Sequence, residues 1–262
     1  MKAILYPIFI ALLFWNCKEA KQNPLNLPAT DSSKLTPVSK TDTSLKYIYI
    51  TFDDGPLLDG SDDIDDAVRN EQIKVDVFVV GFHALSKRLN GFYKMYQNNP
   101  YIEIGNHSFT HAHNHYEKFY RNPSAVVSDF LKCQTALQIS NKIARQPGRN
   151  QWRLNDIRIN DVRSGSISAD SLYKDGFEVF GWDLEWQHDP KTGVPIQTVD
   201  DMVELIEKKL DEHKTVKPNH LVLLAHDEMF RNGWEESELK QLIDKLKAKG
   251  NYRFEHLSSY PG

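Results

Sequence analysis

The chain of 262 residues has only two cysteines, Cys17 and Cys133. That excludes a disulfide framework, so stability must come from a hydrophobic core and any bound ion. The chain also lacks a basic block. Its formal net charge is -4 and no basic cluster stands out, so nucleic-acid binding is not suggested. No apolar run is long enough to span a membrane as a helix. The one at the N-terminus, Ala3 to Trp15, is broken by Pro7 and falls short of the roughly 20 residues a bilayer needs. There is no internal repeat, which excludes a solenoid. Trp and Tyr are plentiful; such rings can stack on sugars, but more often they fill a core.

The N-terminal apolar run follows Lys2 and has the form of a signal-peptide core. Cys17 comes almost directly after it, which resembles the lipobox of bacterial lipoproteins, where the cysteine is lipidated and becomes the mature N-terminus. Phe14-Trp15-Asn16 departs from the small residues usual there. Plain secretion and an uncleaved anchor are the alternatives. All three export the domain, to the periplasm or the cell surface. With Cys17 lipidated, Cys133 has no disulfide partner; it lies in an expected helix, between Leu131 and Leu137, as a packing residue. Residues 18–44 are rich in Pro, Ser, Thr, Asn and Lys and read as a flexible tether. The organisation is then a leader over 1–17, a tether over 18–44 and one folded domain over 45–262.

Within that domain short apolar strands alternate with amphipathic helices. Strands are expected at Tyr47–Phe52, Val75–Val80, Tyr101–Gly105, Lys142–Gln146, Glu178–Trp182, His220–Ala225 and Tyr252–His256. Helices are expected near Asp62–Asn70, Ala84–Asn98, Pro123–Ile139, Ser168–Asp175, Val199–Glu212 and Glu235–Lys249. In the last of these Leu239, Leu242, Ile243 and Leu246 recur at helical spacing and Gly250 follows as a stop. Such alternation implies a parallel α/β fold with about seven parallel strands, either an irregular barrel or an open sheet. The acidic run Asp59 to Asp66 lacks the spacing of a calcium loop and suits a helix start.

The chain is organised around Tyr47-Ile48-Tyr49-Ile50-Thr51-Phe52-Asp53-Asp54-Gly55-Pro56. This is a strand buried on both faces that stops at two carboxylates and a turn. In α/β sheets and barrels ligands bind at that carboxyl end. Adjacent buried carboxylates repel each other, and a cation would offset both the repulsion and the desolvation. Taken alone, the string is more often a solvated turn. A second string, Gly105-Asn106-His107-Ser108-Phe109-Thr110-His111, also follows a strand. On one helical turn His107 and His111 would share a face and could share an ion. His113 and His115 extend the run, so chance could supply the pair. One carboxylate with the two imidazoles would leave coordination positions open for water and substrate.

These two strings resemble the first two motifs of the polysaccharide deacetylases, carbohydrate esterase family four. Three further segments resemble the remaining motifs in order: Arg145-Gln146-Pro147-Gly148, Trp182-Asp183-Leu184-Glu185-Trp186 and Leu223-Leu224-Ala225-His226-Asp227. The resemblance implies a distorted (β/α) barrel and a divalent metal, with zinc favoured, held by Asp54, His107 and His111. It implies Asp53 as general base, paired with Arg145, and His226 as general acid. Leu224 would line a pocket for the acetyl methyl group. A backbone N–H near Gly148, after Pro147, would meet the oxyanion. Either Asp183 or Glu185 would support His226, Glu185 fitting the spacing better, and Trp186 would wall the groove. In the third motif Gly148 and Arg149 stand where an aromatic is usual, and Trp152 is the ring expected in its place. Asp227 is expected to orient or cap rather than catalyse.

The expected activity is removal of N-acetyl groups from an N-acetylglucosamine glycan such as peptidoglycan or a chitin-like polymer, by a monomer. The alternatives are an O-acetyl esterase acting on acetylated xylan or a similar ester, and an inactive carbohydrate-binding lipoprotein.

Overall fold

The computed structural model describes residues 45–231, 233 and 236–262. The leader, Cys17 and the tether lie outside the described residues. The central strand β1 (Lys46–Asp53) is buried along almost its whole length. Successive side chains on a strand point to opposite faces. Accordingly Ile48, Ile50 and Phe52 join the core under the helices, whereas Tyr49 joins a second apolar cluster on the other face. Thr51 and Asp53 share that inner face with Tyr49.

From β1 the chain runs through α1 (Ser61–Glu71), β2 (Val75–Val79), α2 (Gly81–Leu85), α3 (Asn90–Gln97), β3 (Ile102–Asn106), α4 (Tyr116–Tyr120) and α5 (Pro123–Leu137). It continues through β4 (Ile143–Ala144), β5 (Trp152–Leu154), β6 (Ile157–Ile159), α6 (Ser166–Lys174), β7 (Glu178–Val179), β8 (Leu184–Glu185), α7 (Val199–Asp211), β9 (His220–His226), α8 (Glu238–Ala248) and β10 (Tyr252–Phe254). The sheet order is β6-β5-β7-β4-β3-β2-β1-β9-β8, with β10 beside the start of β1. All neighbours pair parallel except β5 with β6 and β5 with β7. Eight strands, β1 to β4 and β7 to β10, thus run parallel, and the sheet curls into the half-barrel of a distorted (β/α) barrel.

The helices end as the chemistry of their caps dictates. α7 opens on a capping box in which Thr198 and Asp201 satisfy each other's backbone N–H. Asn122 caps α5 and Pro123 occupies its first turn. The single helix expected over Ala84–Asn98 is two, because Ser86 is extended and its hydroxyl donates to the His83 carbonyl while accepting from the Leu89 N–H. Cys133 is fully buried in α5, and burial pushes its thiol up to about 12, which fits the packing role. Within the half-barrel Tyr49, Phe78, Trp152, Phe180, Val222 and Tyr260 pack together.

Candidate active site

Four strands deliver the site residues from their carboxyl ends, and these strands lie side by side in the order β4, β3, β1 and β9, with β2 between β3 and β1. In the register of β1 and β9, Asp53 stands directly opposite His226 and Thr51 opposite Leu224. Leu224 and His226 share the inner face of β9 with Val222. The Arg145 N–H bonds to the Asn106 carbonyl and the His107 N–H to the Val79 carbonyl, which locks β4, β3 and β2 together at that rim.

Asp53 and Arg145 form a buried ion pair, Nη1 to Oδ1 at 2.8 Å, with Arg145 wholly shielded from solvent. The guanidinium is fixed on every side. It donates to Thr51 Oγ1 at 2.7 Å and to the carbonyls of Phe180 and Gly181 at 3.2 and 2.9 Å, and it lies over the Phe78 ring. A planar cation with several donors in one fork is well suited to such a position.

Asp54 has a left-handed φ of 76°, and both it and Asp53 approach His107 Nε2, Asp53 through Oδ2 at 3.6 Å. Asp54 Oδ1 lies 3.3 Å from His107 Nε2 and 2.8 Å from His111 Nε2. Burial alone would raise the Asp54 pKa, but the two imidazoles hold it well below the usual carboxylate range. His107 Nδ1 is 3.0 Å from the Arg145 carbonyl and must carry the hydrogen, since a carbonyl only accepts. His111 Nδ1 is 3.1 Å from Asn114 Oδ1 and donates to it. Both rings therefore turn Nε2 toward Asp54. Two lone pairs and a carboxylate oxygen aimed at one another are stable only with a proton or a cation among them. The three donor atoms lie within 4.8 Å of one another, and the donor set of two imidazoles and one carboxylate fits a divalent metal.

The loop that brings the two histidines together is not the helical turn expected from their spacing. Residues 107–110 form no helix, and Ser108 and His111 have left-handed φ values of 69° and 50°. Asp129 on α5 holds this loop by accepting from the N–H groups of Phe109 and Thr110 and from the Thr110 hydroxyl. Beside it, Asp54, His83, His111, Asn114 and Glu228 line a cleft of about 360 Å³.

Residues 40–154 match the family model for polysaccharide deacetylase. Over this stretch, which holds Asp53, Asp54, His107 and His111, the chain is similar to the polysaccharide deacetylases. No curated protein matches it. Among solved structures it is similar to a family 4 carbohydrate esterase from Bacillus subtilis, PdaA, with 20% identity over 83% of this chain and 81% of that one and a TM-score of 0.59. It is similar to the catalytic domain of a peptidoglycan N-acetylglucosamine deacetylase from Eubacterium rectale, with 21% identity over 82% and 91% and a TM-score of 0.58. It is also similar to the polysaccharide deacetylase Bc1974 from Bacillus cereus, with 23% identity over 83% and 95% and a TM-score of 0.54. At such identities these structures speak to the fold.

The deacetylase motifs beyond the first two hold several departures from expectation. Asp183 does not reach His226. Its two carboxylate oxygens accept from the backbone N–H groups of Val216 and Val222, stitching a loop to β9, and burial raises it to about 6. Glu185 stands opposite Leu224 in the β8–β9 register, and no hydrogen bond or ion pair joins it to His226 among the described residues. Trp186 is no groove wall: it is fully buried against Phe230, and its indole N–H donates to the Gln197 carbonyl. Trp152 likewise lies inside the half-barrel, against Phe180 and Tyr260.

Pro147 offers its carbonyl to the Tyr120 hydroxyl at 2.7 Å, and Gly148, at φ 61°, passes close to the Tyr116 ring. The next residue, Arg149, is buried over the Tyr116 and Tyr120 rings, 5.6 and 5.0 Å from their centroids. Asp227 accepts from the Ser61 and Tyr96 hydroxyls, and burial pushes it up to about 7. It anchors the loop after β1, as its expected orienting role requires.

Four residues of the site were not foreseen in the sequence. His83 Nδ1 donates to the Asp54 carbonyl at 2.9 Å. Asn114 orients His111. His188 packs against His226, with ring centroids 4.8 Å apart, and bonds to Glu228 at 2.7 Å. The spacing His111-x-x-Asn114 was a readable signal; His188 and Glu228 meet only through tertiary structure.

Proposed function

We propose that the domain is a metal-dependent hydrolase that removes N-acetyl groups from a glycan containing N-acetylglucosamine, such as peptidoglycan or a chitin-like polymer. The observation that carries this reading is the convergence of Asp54, His107 and His111 beside Asp53, with His226 in register across from it. Those three residues would hold the ion, and zinc suits the donor set. When bound, the ion supplies Lewis acidity toward the amide carbonyl and lowers the pKa of a water from about 15.7 toward 7.

The chain's own residues do the rest. Asp53, paired with Arg145 at 2.8 Å, accepts the proton of the attacking water. The backbone N–H near Gly148 donates to the developing oxyanion. Leu224, on the inner face between Val222 and His226, receives the acetyl methyl group. His226 protonates the departing amine. His188, bonded to Glu228 at 2.7 Å, packs on the His226 ring and holds it in place, and that bond holds the Glu228 carboxyl below its usual range. The similar structures include a peptidoglycan N-acetylglucosamine deacetylase, which supports the choice of glycan. From the N-terminal sequence we infer export and a lipid anchor at Cys17.

The experiment is acetate release by the zinc-loaded protein from N-acetylated chitooligosaccharides, peptidoglycan and O-acetylated xylan. Release from the first or second supports the proposal. Release from xylan alone overturns the N-acetyl assignment, and no release from any overturns the enzyme reading.

A further inference from the structure

A groove of about 630 Å³ opens beside the metal-site cleft; its lining includes Asn114, Tyr116, Glu117, Lys118, Arg121, Arg149 and Arg163. Two features set it apart. First, it is contiguous with the site. Asn114, which orients His111, lines both the groove and the cleft, and the Tyr116 ring stands edge-on to His111 with centroids 5.7 Å apart. Second, its charge runs against that of the whole chain. Four cations face one carboxylate there, on a protein of net charge -4.

The cations divide into two layers. Arg149 forms the floor. It is buried, bonded to Glu117 at 2.7 Å and to the Ser164 carbonyl at 2.7 Å, and stacked on two tyrosines. Arg163 is paired with Asp161 at 3.3 Å. Lys118 and Arg121 are exposed on α4 and just beyond it, and neither has an ion-pair partner among the described residues. With Arg149 and Arg163 each paired to a carboxylate, the charges of Lys118 and Arg121 are left over, and they give this concave site, large enough for a sugar unit, a net positive field. A carboxylate or phosphate entering there would gain charge-assisted hydrogen bonds from Lys118 and Arg121.

We propose that this groove is an anion subsite: it binds an acidic substituent, carboxylate or phosphate, on the glycan whose acetyl group lies in the neighbouring cleft. The proposal rests on the deacetylase reading and narrows it to acidic glycans. Lys118 and Arg121 set specificity for the charged unit and take no part in the chemistry.

The test uses the full chain loaded with zinc and the double variant Lys118→Ala/Arg121→Ala. The substrates are a neutral N-acetylated oligosaccharide, the same oligosaccharide carrying a carboxylate, and one carrying a phosphate. For wild type, kcat/KM should be higher on at least one acidic substrate than on the neutral one, and that advantage should shrink as salt rises. In the variant KM for the preferred acidic substrate should rise at least about tenfold, with kcat and neutral-substrate turnover unchanged. The arm that responds separates carboxylate from phosphate. Equal losses on neutral and acidic substrates, or none on either, overturn the subsite. If wild type releases acetate from no substrate, the deacetylase reading has failed. Calorimetric binding of the acidic oligosaccharides then decides the subsite separately: it stands if they bind wild type and not the variant, and falls otherwise.

Discussion

Arg145 reaches Asp53 across the rim of the half-barrel at 2.8 Å, and the same guanidinium is pinned by Thr51, Phe180 and Gly181. Neither partner can relax into water. Replacing Arg145 by Gln would leave a buried carboxylate without its cation, and breaking such a pair costs about 3–5 kcal/mol. Chemical denaturation of Arg145→Gln should show a loss on that scale, with turnover falling as well. Asp53→Asn should behave differently: zinc binding retained and turnover lost by at least about a hundredfold, since a general base contributes roughly that much or more. Retained turnover in Asp53→Asn would refute the base assignment.

Asn114 touches His111 and is not itself one of the three donors. Groups that orient a metal ligand typically change affinity about 10–100-fold when removed. Asn114→Ala should weaken zinc by that factor in a competition titration with a chromophoric chelator, while saturating zinc restores turnover. An affinity equal to wild type would show that His111 needs no such partner.

Asp183 gives a pH signature. Its folded value, about 6, is raised above its unfolded value of 3.8. The unfolded chain therefore binds fewer protons than the native one between these values, and stability falls as pH rises from about 4 to 6. The loss due to this group is at most about 3 kcal/mol, and it is fully avoided below pH 4. Asp183→Ala should flatten this part of the pH–stability curve, while lowering stability at pH 4 because the N–H groups of Val216 and Val222 lose their acceptors. A curve with the wild-type slope would contradict the burial argument.

Gly60 has φ 117°, and a Cβ there would sit 1.7 Å from the Asp227 carbonyl oxygen. Both the conformation and the space forbid a side chain. Gly60→Ala should cost more than about 1 kcal/mol, read as a shift of the denaturation midpoint. Gly91→Ala, where nothing lies within 4 Å of the added atom, is the control and should be near neutral.

The parts of this protein that could be read from the sequence are contiguous ones. Asp53 and Asp54 end one strand, and His107 and His111 follow another, so their strings carry the chemistry and the strand end supplies the direction. The amphipathic helices α7 and α8 could be read for the same local reason: one stripe of apolar residues. The rest depended on contacts between distant segments. Strands of two or three residues, such as β5, β6 and β8, leave no periodicity to detect. Asp183 and Glu185 could not be separated from His188 and Glu228 as partners of His226, because only the folded chain shows that Asp183 is occupied by backbone N–H groups. Trp186 gave an ambiguous signal, since a tryptophan beside a carboxylate serves a groove and a core equally well.

Acetate release from an N-acetylated glycan, followed as metal is removed and restored, tests the central claim most directly. A chelator should stop release from the wild-type protein, zinc should restore it, and Asp53→Asn should stay inactive with zinc bound. Release that persists after complete metal removal, or a protein silent on every acetylated glycan with one zinc per chain, would contradict that claim.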